Sequence, residues 1–548
     1  MAAHPEPSSV RQAVDLRRYP GIRRLAADYA DGAAPLLDFY TGNPADPDAW
    51  QAAIARAQAA PREREAVAAA LARQQQRRGA PPEARAAVDR LRDPAAVAVV
   101  TGQQAGLFGG PLYTLLKAIT ALKTAARIRQ DFHTPAEAIF WIESEDHDWN
   151  EVNGCEVLDA DLQPHMVRLG TPPGAGELPV ARVLLDATVS DAIDQLASFL
   201  PPTEFTGSLL TRLRSAYRQG AGMAEAFGRW MEFVFGEFGL IVYDAADPAT
   251  KPLVRRVFVR EAQFAGRTTE LAAAAGQRLV ELGYHSQVSS RADHLAMFHL
   301  DGTRQSIPFG DGRFAIGGRL LDTAGLTGMV TSDPAAFSPN VLLRPLVQDT
   351  LFPTVAYVAG PNELAYLGQL KEVYAHFGVP MPLMCSRASA TLLDSAGLRF
   401  LSKYLVAIEA LQARDESSLN RLLQLQLPPE VEQAYRDAES AIEARMQHLI
   451  DELPAMDPTL EGAGRSVAGR MRHELQGLHT KIIHAAKKRD ETLRRQFART
   501  QAQAFPGGHA QERSTGFVYF LNRYGPGLVD RLMTELPIDP GFHWVLTV

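Results

Sequence analysis

Five short apolar runs, each separated from the next by helix formers, constrain this chain more than any other feature. They are VAVVT (Val97–Thr101), AIFWIE (Ala138–Glu143), GLIVYD (Gly239–Asp244), TVAYVAG (Thr354–Gly360) and MPLMCS (Met381–Ser386). Strands that lack polar alternation must be covered on both faces, and the intervening helices supply the cover. The pattern therefore predicts an α/β fold around a parallel sheet. Ligands in such sheets sit at the carboxyl ends of the strands, so the residues that follow each run are the first place to look for chemistry.

Around this core the sequence predicts further parts. Residues 1–95 are rich in Ala, Arg and Glu and broken by Pro61, Pro81 and Pro82, which reads as several helices packing on the core. Within a core of residues 96–391, segments at about 152–205 and 285–335 interrupt the alternation and read as insertions. In the second, GDGR (Gly310–Arg313) resembles a hairpin turn between HLAMFHLDG and FAIGGRLL. From 392 to 505 the chain is helical. Val467, Met471, Leu475, Leu478, Ile482 and Ala485 recur at spacings of four and three, an apolar seam of coiled-coil type. A helix at about Val431–Leu453 precedes it, and the two are expected to form an antiparallel hairpin that makes a homodimer contact. Residues 506–548 are expected to return to the core.

The net charge of −7 argues against a dedicated nucleic-acid binder. Two cysteines, Cys155 and Cys385, exclude a disulfide framework and a zinc ribbon and suit a reducing compartment. The first twenty residues lack a signal-peptide core, and no run reaches the roughly 18 apolar residues of a membrane span. A cytoplasmic protein without membrane attachment is expected.

Three clusters follow the strands. The first is TGQQAGLFGGP, after Val97–Thr101. It fits neither the Walker spacing nor G-x-G-x-x-G, so a structural turn and a nucleotide site both stay open. Gly102, Gly106, Gly109 and Gly110 permit close backbone approach, and Gln103 and Gln104 place amides at the strand end. Lys117, in the helix that follows, reads as a solvated or paired surface charge. The second cluster, ESEDHDWNEVN, gathers Glu143, Glu145, Asp146, His147, Asp148, Glu151 and Asn153. So many carboxylates around one histidine call for a compensating cation. A magnesium site, capture of an amino group, a general base on His147 and a plain solvated loop are the alternatives. The third cluster, after Thr354–Gly360, offers Tyr357, Gly360, Glu363, Tyr366 and Gln369 for a polar pocket, with Arg344 upstream to pair or to meet an anion. Arg387, Ser386, Ser389 and Thr391 follow the last strand and are compatible with phosphate contacts. H-E-x-x-H, G-x-S-x-G and C-x-x-C are absent, which removes common zinc proteases, α/β-hydrolases and dithiol enzymes.

VTGQQAGLFGGPLYTLLKAI, EDHD, SPNVLLRPLVQDTLFPTVAYVAGPNELAYLGQLK, MPLMCSRASAT and the QER of HAQERSTGF together resemble the BshC family of bacillithiol biosynthesis. The resemblance runs from the first strand to the C-terminus. It implies a Rossmann-like core similar to class I aminoacyl-tRNA synthetase catalytic domains, with two connecting-peptide insertions and a dimerising coiled coil. The implied activity is ligation of L-cysteine to the amine of glucosaminyl-malate, with magnesium-ATP as cosubstrate activating the carboxyl group. By that analogy Gly102, Gln103, Gln104, Gly106, Gly109, Gly110, Arg387 and Ser389 would face the nucleotide. His147, Asp148 and Glu145 would serve catalysis, and Asp146, Asn153, Tyr357, Gly360, Glu363, Tyr366 and Gln369 would bind substrate. HIGH and KMSKS are absent; TGQQAG and SRAS stand roughly where they would lie. No Cys/His set for zinc is present. The basic stretch Lys481–Arg495 is a second candidate for nucleotide contact, against the alternative of a solvated coiled-coil face. The rival function is a non-catalytic nucleotide-binding or scaffolding protein on a synthetase-like fold.

Overall fold

A computed structural model describes residues 11–288, 291–412, 415–425, 429–489 and 491–548. It divides into two compact units, one formed by the chain up to Leu392 together with Ala510–Val548, the other by Leu393–His509.

All five predicted strands form in the first unit. They are β1 (Val97–Gln104), β2 (Ala136–Glu143), β3 (Ile241–Asp244), β4 (Thr354–Ala359) and β5 (Leu383–Ser386). They make one parallel sheet in the order β5-β4-β1-β2-β3, the arrangement of a Rossmann-like half-sheet pair. β1 and β4 lie side by side while the chain winds outward from them in opposite directions. This is the topological switch point, where the connections diverge and leave a crevice at the strand ends. The strands are buried nearly throughout, as continuous apolar runs require.

Helix α1 (Leu112–Asp131) follows β1 and buries Leu112, Leu115, Leu116, Ile119 and Leu122. It starts at Pro111, whose fixed φ suits a helix entry. The N-terminal helices Pro47–Ala59, Arg64–Arg78 and Pro82–Arg90 cover the sheet, their ends set by Gly79 in the left-handed region and by Pro82 in the first turn. Arg78 anchors this layer: it is buried, pairs with Glu232 at 2.8 Å and donates to the Val242 carbonyl.

Residues 152–205 contain an antiparallel hairpin, Gly154–Leu158 with Pro164–Arg168, and the helix Thr188–Phe199. Residues 294–339 form a five-stranded antiparallel sheet. The GDGR turn is real, with Asp311 and Gly312 both at positive φ and Gly310 opposite Arg313. It does not join HLAMFHLDG to FAIGGRLL directly, because an additional strand, Thr303–Gly310, pairs between them. A three-stranded sheet, unforeseen in the sequence, sets Arg11–Asp15 antiparallel to Phe542–Thr547, with Ser389–Leu393 on the latter's other side.

The second unit carries the helical hairpin Pro429–Glu452 and Leu460–Arg489. Its antiparallel register is fixed by Arg472 with Glu443 at 2.6 Å and His479 with Glu432 at 2.8 Å, and by Tyr435 stacked on His479. Val467, Met471 and Leu478 of the predicted seam are 37%, 40% and 52% exposed, so the partner helix leaves part of the seam uncovered.

The glycine turn after β1 is a packing device. Gly109 has φ +100°, and a Cβ there would lie 2.2 Å from the Phe517 ring. Gly109→Ala should therefore destabilise the first unit by about 3 kcal/mol or more, from strained backbone and overpacking. Gly469→Ala, in an open, exposed helical position, should stabilise the second unit by about 0.5–1 kcal/mol. Denaturant titration of both variants checks the opposite signs.

Candidate functional site

A cavity of about 570 Å³ opens at the switch point, between the ends of β1 and β4. Gly102, Gln103 and Gln104 form one wall, and Tyr357, Gly360, Asn362, Glu363 and Tyr366 face them. Glu143 at the end of β2, Asp146, Glu151, Arg387 after β5 and Arg513 also line it. Phe298, Arg304 and the turn Pro339–Val341 come from the antiparallel sheet.

The floor is ionic. Lys117 of α1, predicted as a surface charge, is buried. It donates to the Gly102 carbonyl at 2.7 Å and to Gln103 Oε1 at 3.2 Å, and pairs with Glu363 at 2.5 Å. Glu363 also accepts from Tyr357 at 2.8 Å and from the Gly360 N–H at 2.7 Å. Burial alone would raise this carboxyl; Lys117 and the two hydrogen bonds hold it below the usual range instead. Arg344 reaches Tyr366 at 2.9 Å and lies 3.6 Å from Glu143. Burial raises the Glu143 carboxyl, with Arg344 opposing.

On the acidic side, Gln104 donates to Asp146 at 3.1 Å and to Glu151 at 2.8 Å. Arg304 reaches from the antiparallel sheet to Asp146 at 3.1 Å and to the Pro339 carbonyl at 2.9 Å, stacked over Phe298. It ties that sheet to the acidic loop.

The structure separates the predicted residues. Gly102, Gln103, Gln104, Asp146, Tyr357, Gly360, Glu363, Tyr366 and Arg387 lie on the cavity wall. The other three glycines do not. Their N–H groups are spent within the turn, Gly106 on Gln104, Gly109 on Gly106 and Gly110 on Leu107, so the turn presents no phosphate cradle. Thr515–Phe517 runs against it instead, with Phe517 N–H donating to the Gly110 carbonyl.

Glu145 is buried against Lys251, away from the cavity, and burial lifts its carboxyl to about 7 with Lys251 opposing. His147 is half exposed and touches Asp146 at 3.3 Å without entering the cavity. Asp148 caps the short helix Trp149–Val152. Asn153 is buried and accepts from Arg168 at 3.3 Å. Gln369 is buried and holds the backbone of Gln287 and Val288 and the Ala272 carbonyl, so its amide is used structurally. Of the basic stretch Lys481–Arg495, residues 484 and 486–490 fall outside what the structure describes in side-chain detail.

Ser389 is a correction of another kind. It sits in a sealed polar knot that also fixes Arg387. Arg387 makes a bidentate pair with Glu512, at 3.0 and 2.7 Å, both buried. Ser389 donates to Glu512 at 2.9 Å and meets His543 Nδ1 at 2.7 Å; Thr391 meets Nε2 at 2.8 Å, and Tyr19 stacks on the ring. The serine hydroxyl has one proton. If it goes to the carboxylate, Nδ1 must donate and Nε2 must accept from Thr391, which requires neutral imidazole. Tyr113, Lys117, Arg304 and Arg513 are wall residues that sequence reasoning did not assign to the site. The QER motif contained the last, without a role.

Among the described residues no three of His, Cys, Asp and Glu gather as a metal site, and no helix is long and apolar enough to cross a membrane. Both cysteine thiols are buried and pushed up to about 12 by burial, which makes them packed rather than reactive.

A charged cavity at the switch point of a Rossmann-like sheet defines an α/β protein with a ligand-binding crevice. A family model described as the bacillithiol biosynthesis BshC N-terminal Rossmann-like domain matches residues 12–388, and the BshC C-terminal coiled-coil domain matches 390–548. Relatives named "Putative cysteine ligase BshC" include proteins of Salinibacter ruber and Koribacter versatilis. Each is 33% identical, covering 96% of both chains in the first case, and 98% of this chain and 99% of the relative in the second. A Geobacillus thermodenitrificans relative of the same name is 30% identical over 96% of this chain and 98% of its own. The chain belongs to the BshC family of bacillithiol biosynthesis, a family of ligases.

The sealed knot predicts a pH dependence. Burial depresses His543, with Glu512 opposing, to about 3, so between pH 6.5 and 3 the unfolded chain takes up a proton that the folded chain refuses. Stability should fall as pH drops through that window, by up to about 1.4 kcal/mol per pH unit from this residue. His543→Gln should flatten the slope; urea titrations of both proteins from pH 7 to 5 measure it.

Proposed function

We propose that this protein is a cysteine ligase that joins L-cysteine to the amine of glucosaminyl-malate, forming the amide of bacillithiol. The observation that carries this is the cavity's opposed charge. Carboxylates Glu143, Asp146 and Glu151 and the guanidinium groups of Arg387 and Arg513 line one cavity, at the point where Rossmann-like folds bind ligands. Both substrates bring an amino group and carboxyl groups, and the wall offers charges complementary to each kind.

The carboxylates differ in what they have left to give. Glu143 is engaged by Arg344 and Asp146 by Arg304. Glu151 is held by an amide, Gln104, with no cationic partner among the described residues. It is the group best placed to bind an ammonium and to accept a proton from an attacking amine near Asp146. The Gln104 bridge keeps Glu151 and Asp146 together, so the amine is oriented by two acceptors rather than one.

Magnesium-ATP is the proposed cosubstrate, supplying activation of the cysteine carboxyl group. Because the glycine turn gives no N–H cradle, a triphosphate in this cavity would have to meet Arg513 and Arg387. We also propose a homodimer through the half-exposed seam of Leu460–Arg489 and a cytoplasmic setting, where ATP and cysteine are available.

Incubation with cysteine, magnesium-ATP and glucosaminyl-malate, with product followed by mass spectrometry and AMP and ADP measured together, tests the reading. Bacillithiol formation is expected; AMP would identify an adenylate and ADP an acyl-phosphate. Absence of product with all substrates bound would overturn the ligase assignment and leave a nucleotide-binding scaffold.

Two variants separate the acidic residues. Glu151→Gln keeps the contact with Gln104 and removes the charge, and should raise KM for glucosaminyl-malate about tenfold or more. His147→Asn should cost less than about tenfold in kcat, against the 10²–10⁴ that loss of a general base costs. Initial rates at varied glucosaminyl-malate decide both.

A further inference from the structure

Gln511, Glu512 and Arg513 are consecutive and have three different fates. Gln511 clasps the Leu392 backbone from both sides, accepting from its N–H and donating to its carbonyl, each at 2.8 Å. Glu512 is buried on Arg387, Ser389 and the Ala390 N–H. The short helix Gln511–Ser514 is thus fixed to the edge of the sheet by its first two side chains. Its third, Arg513, points into the cavity and is exposed there.

The cavity wall holds four other cations, and each has a carboxylate. Lys117 has Glu363, Arg304 has Asp146, Arg344 has Glu143 and Arg387 has Glu512. Arg513 has no carboxylate within ion-pair distance among the described residues. A guanidinium whose backbone is immobilised by a buried ion pair has lost little by waiting unpaired, and it keeps its full fork for a ligand. Tyr113 lies beside it: burial raises that phenol, and Arg513 is the first charge acting against the rise.

We infer that Arg513 is the anion-recognition residue of this cavity, binding the carboxylate or phosphate oxygens of a substrate, and that Glu512 is the positioning residue that aims it. The inference deepens the proposed ligase reading and rests on it for the choice of ligands. That reading offers two sources of such oxygens, the malate carboxylates of the acceptor and the phosphates of ATP. The two are separated by binding measurements that need no turnover.

Isothermal titration of the full-length protein with L-malate and, separately, with magnesium-ATP is compared for wild type, Arg513→Gln and Arg513→Lys. Arg513→Gln should weaken one of the two ligands about tenfold or more, with Arg513→Lys in between because charge is kept and the fork lost. A selective loss of malate binding assigns the site to the acceptor's carboxylates, and a selective loss of ATP binding assigns it to phosphate. Unchanged affinity for both, in a variant whose thermal unfolding matches wild type, overturns the inference. Glu512→Gln should weaken the same ligand without touching it, and Arg513→Gln should not worsen that variant further. Failure here is distinguishable from failure of the ligase reading. If wild type makes bacillithiol and Arg513→Gln does so with unchanged KM values, only the inference falls. If no variant makes product while anion binding still depends on Arg513, only the ligase reading falls.

Discussion

The bidentate pair between Arg387 and Glu512 is the interaction on which the rest of the site depends. It joins the segment after the last parallel strand to a residue 125 positions later, after the chain has left for the helical unit and returned. Both groups are buried, so removing either leaves an uncompensated charge, a loss of about 3–5 kcal/mol in comparable cases. Burial alone would raise the Glu512 carboxyl, yet Arg387 holds it at about 2. Ser389, His543, Thr391 and Tyr19 complete the knot, drawing in the terminal strands as well. One ion pair thereby fixes two cavity arginines: Arg387 by contact, and Arg513 through the helix that Glu512 anchors.

The same logic of paired charges shapes the opposite side of the cavity. Arg304 comes from the inserted antiparallel sheet and grips Asp146 of the acidic loop. Lys117 comes from α1 and grips Glu363 at the start of the helix after β4. Each pair spans two elements distant in sequence, so the pairs act as cross-braces at the mouth of the sheet. What is left over after pairing is a carboxylate, Glu151, and a guanidinium, Arg513. The paired groups have already exchanged water for protein partners, whereas these two keep their charge without an ion pair among the described residues.

Much of the fold was legible in the sequence for a simple reason. A strand buried on both faces must be apolar throughout, and VAVVT, AIFWIE, GLIVYD, TVAYVAG and MPLMCS announce themselves. The helical hairpin was legible from its seam, and GDGR from its turn chemistry. The terminal sheet was not, since Arg11–Asp15 and Phe542–Thr547 are short and lie at opposite ends of the chain. The site was legible in part. Gln104 at the end of β1, Tyr357 within β4, and Asp146 and Glu363 just past strands lie on the cavity wall where strand ends led the sequence reading to look. Lys117 and Arg304 were missed because helical position and strand alternation do not reveal which partner a cation meets. Glu145, His147 and Asp148 were grouped with the site by proximity in sequence, but the loop turns so that Glu145 faces Lys251 and Asp148 caps a helix.

The sequence by itself determined the class of fold, the existence of the five core strands and the family, since apolar periodicity and long motifs are local properties of the chain. Only the tertiary structure decided the strand order, and with it the switch point between β1 and β4 that makes a crevice there. It also decided that Gly109 is needed for the Phe517 ring rather than for phosphate, and that Ser389 is sealed in a knot. Those outcomes depend on contacts between residues hundreds of positions apart, which no local pattern encodes.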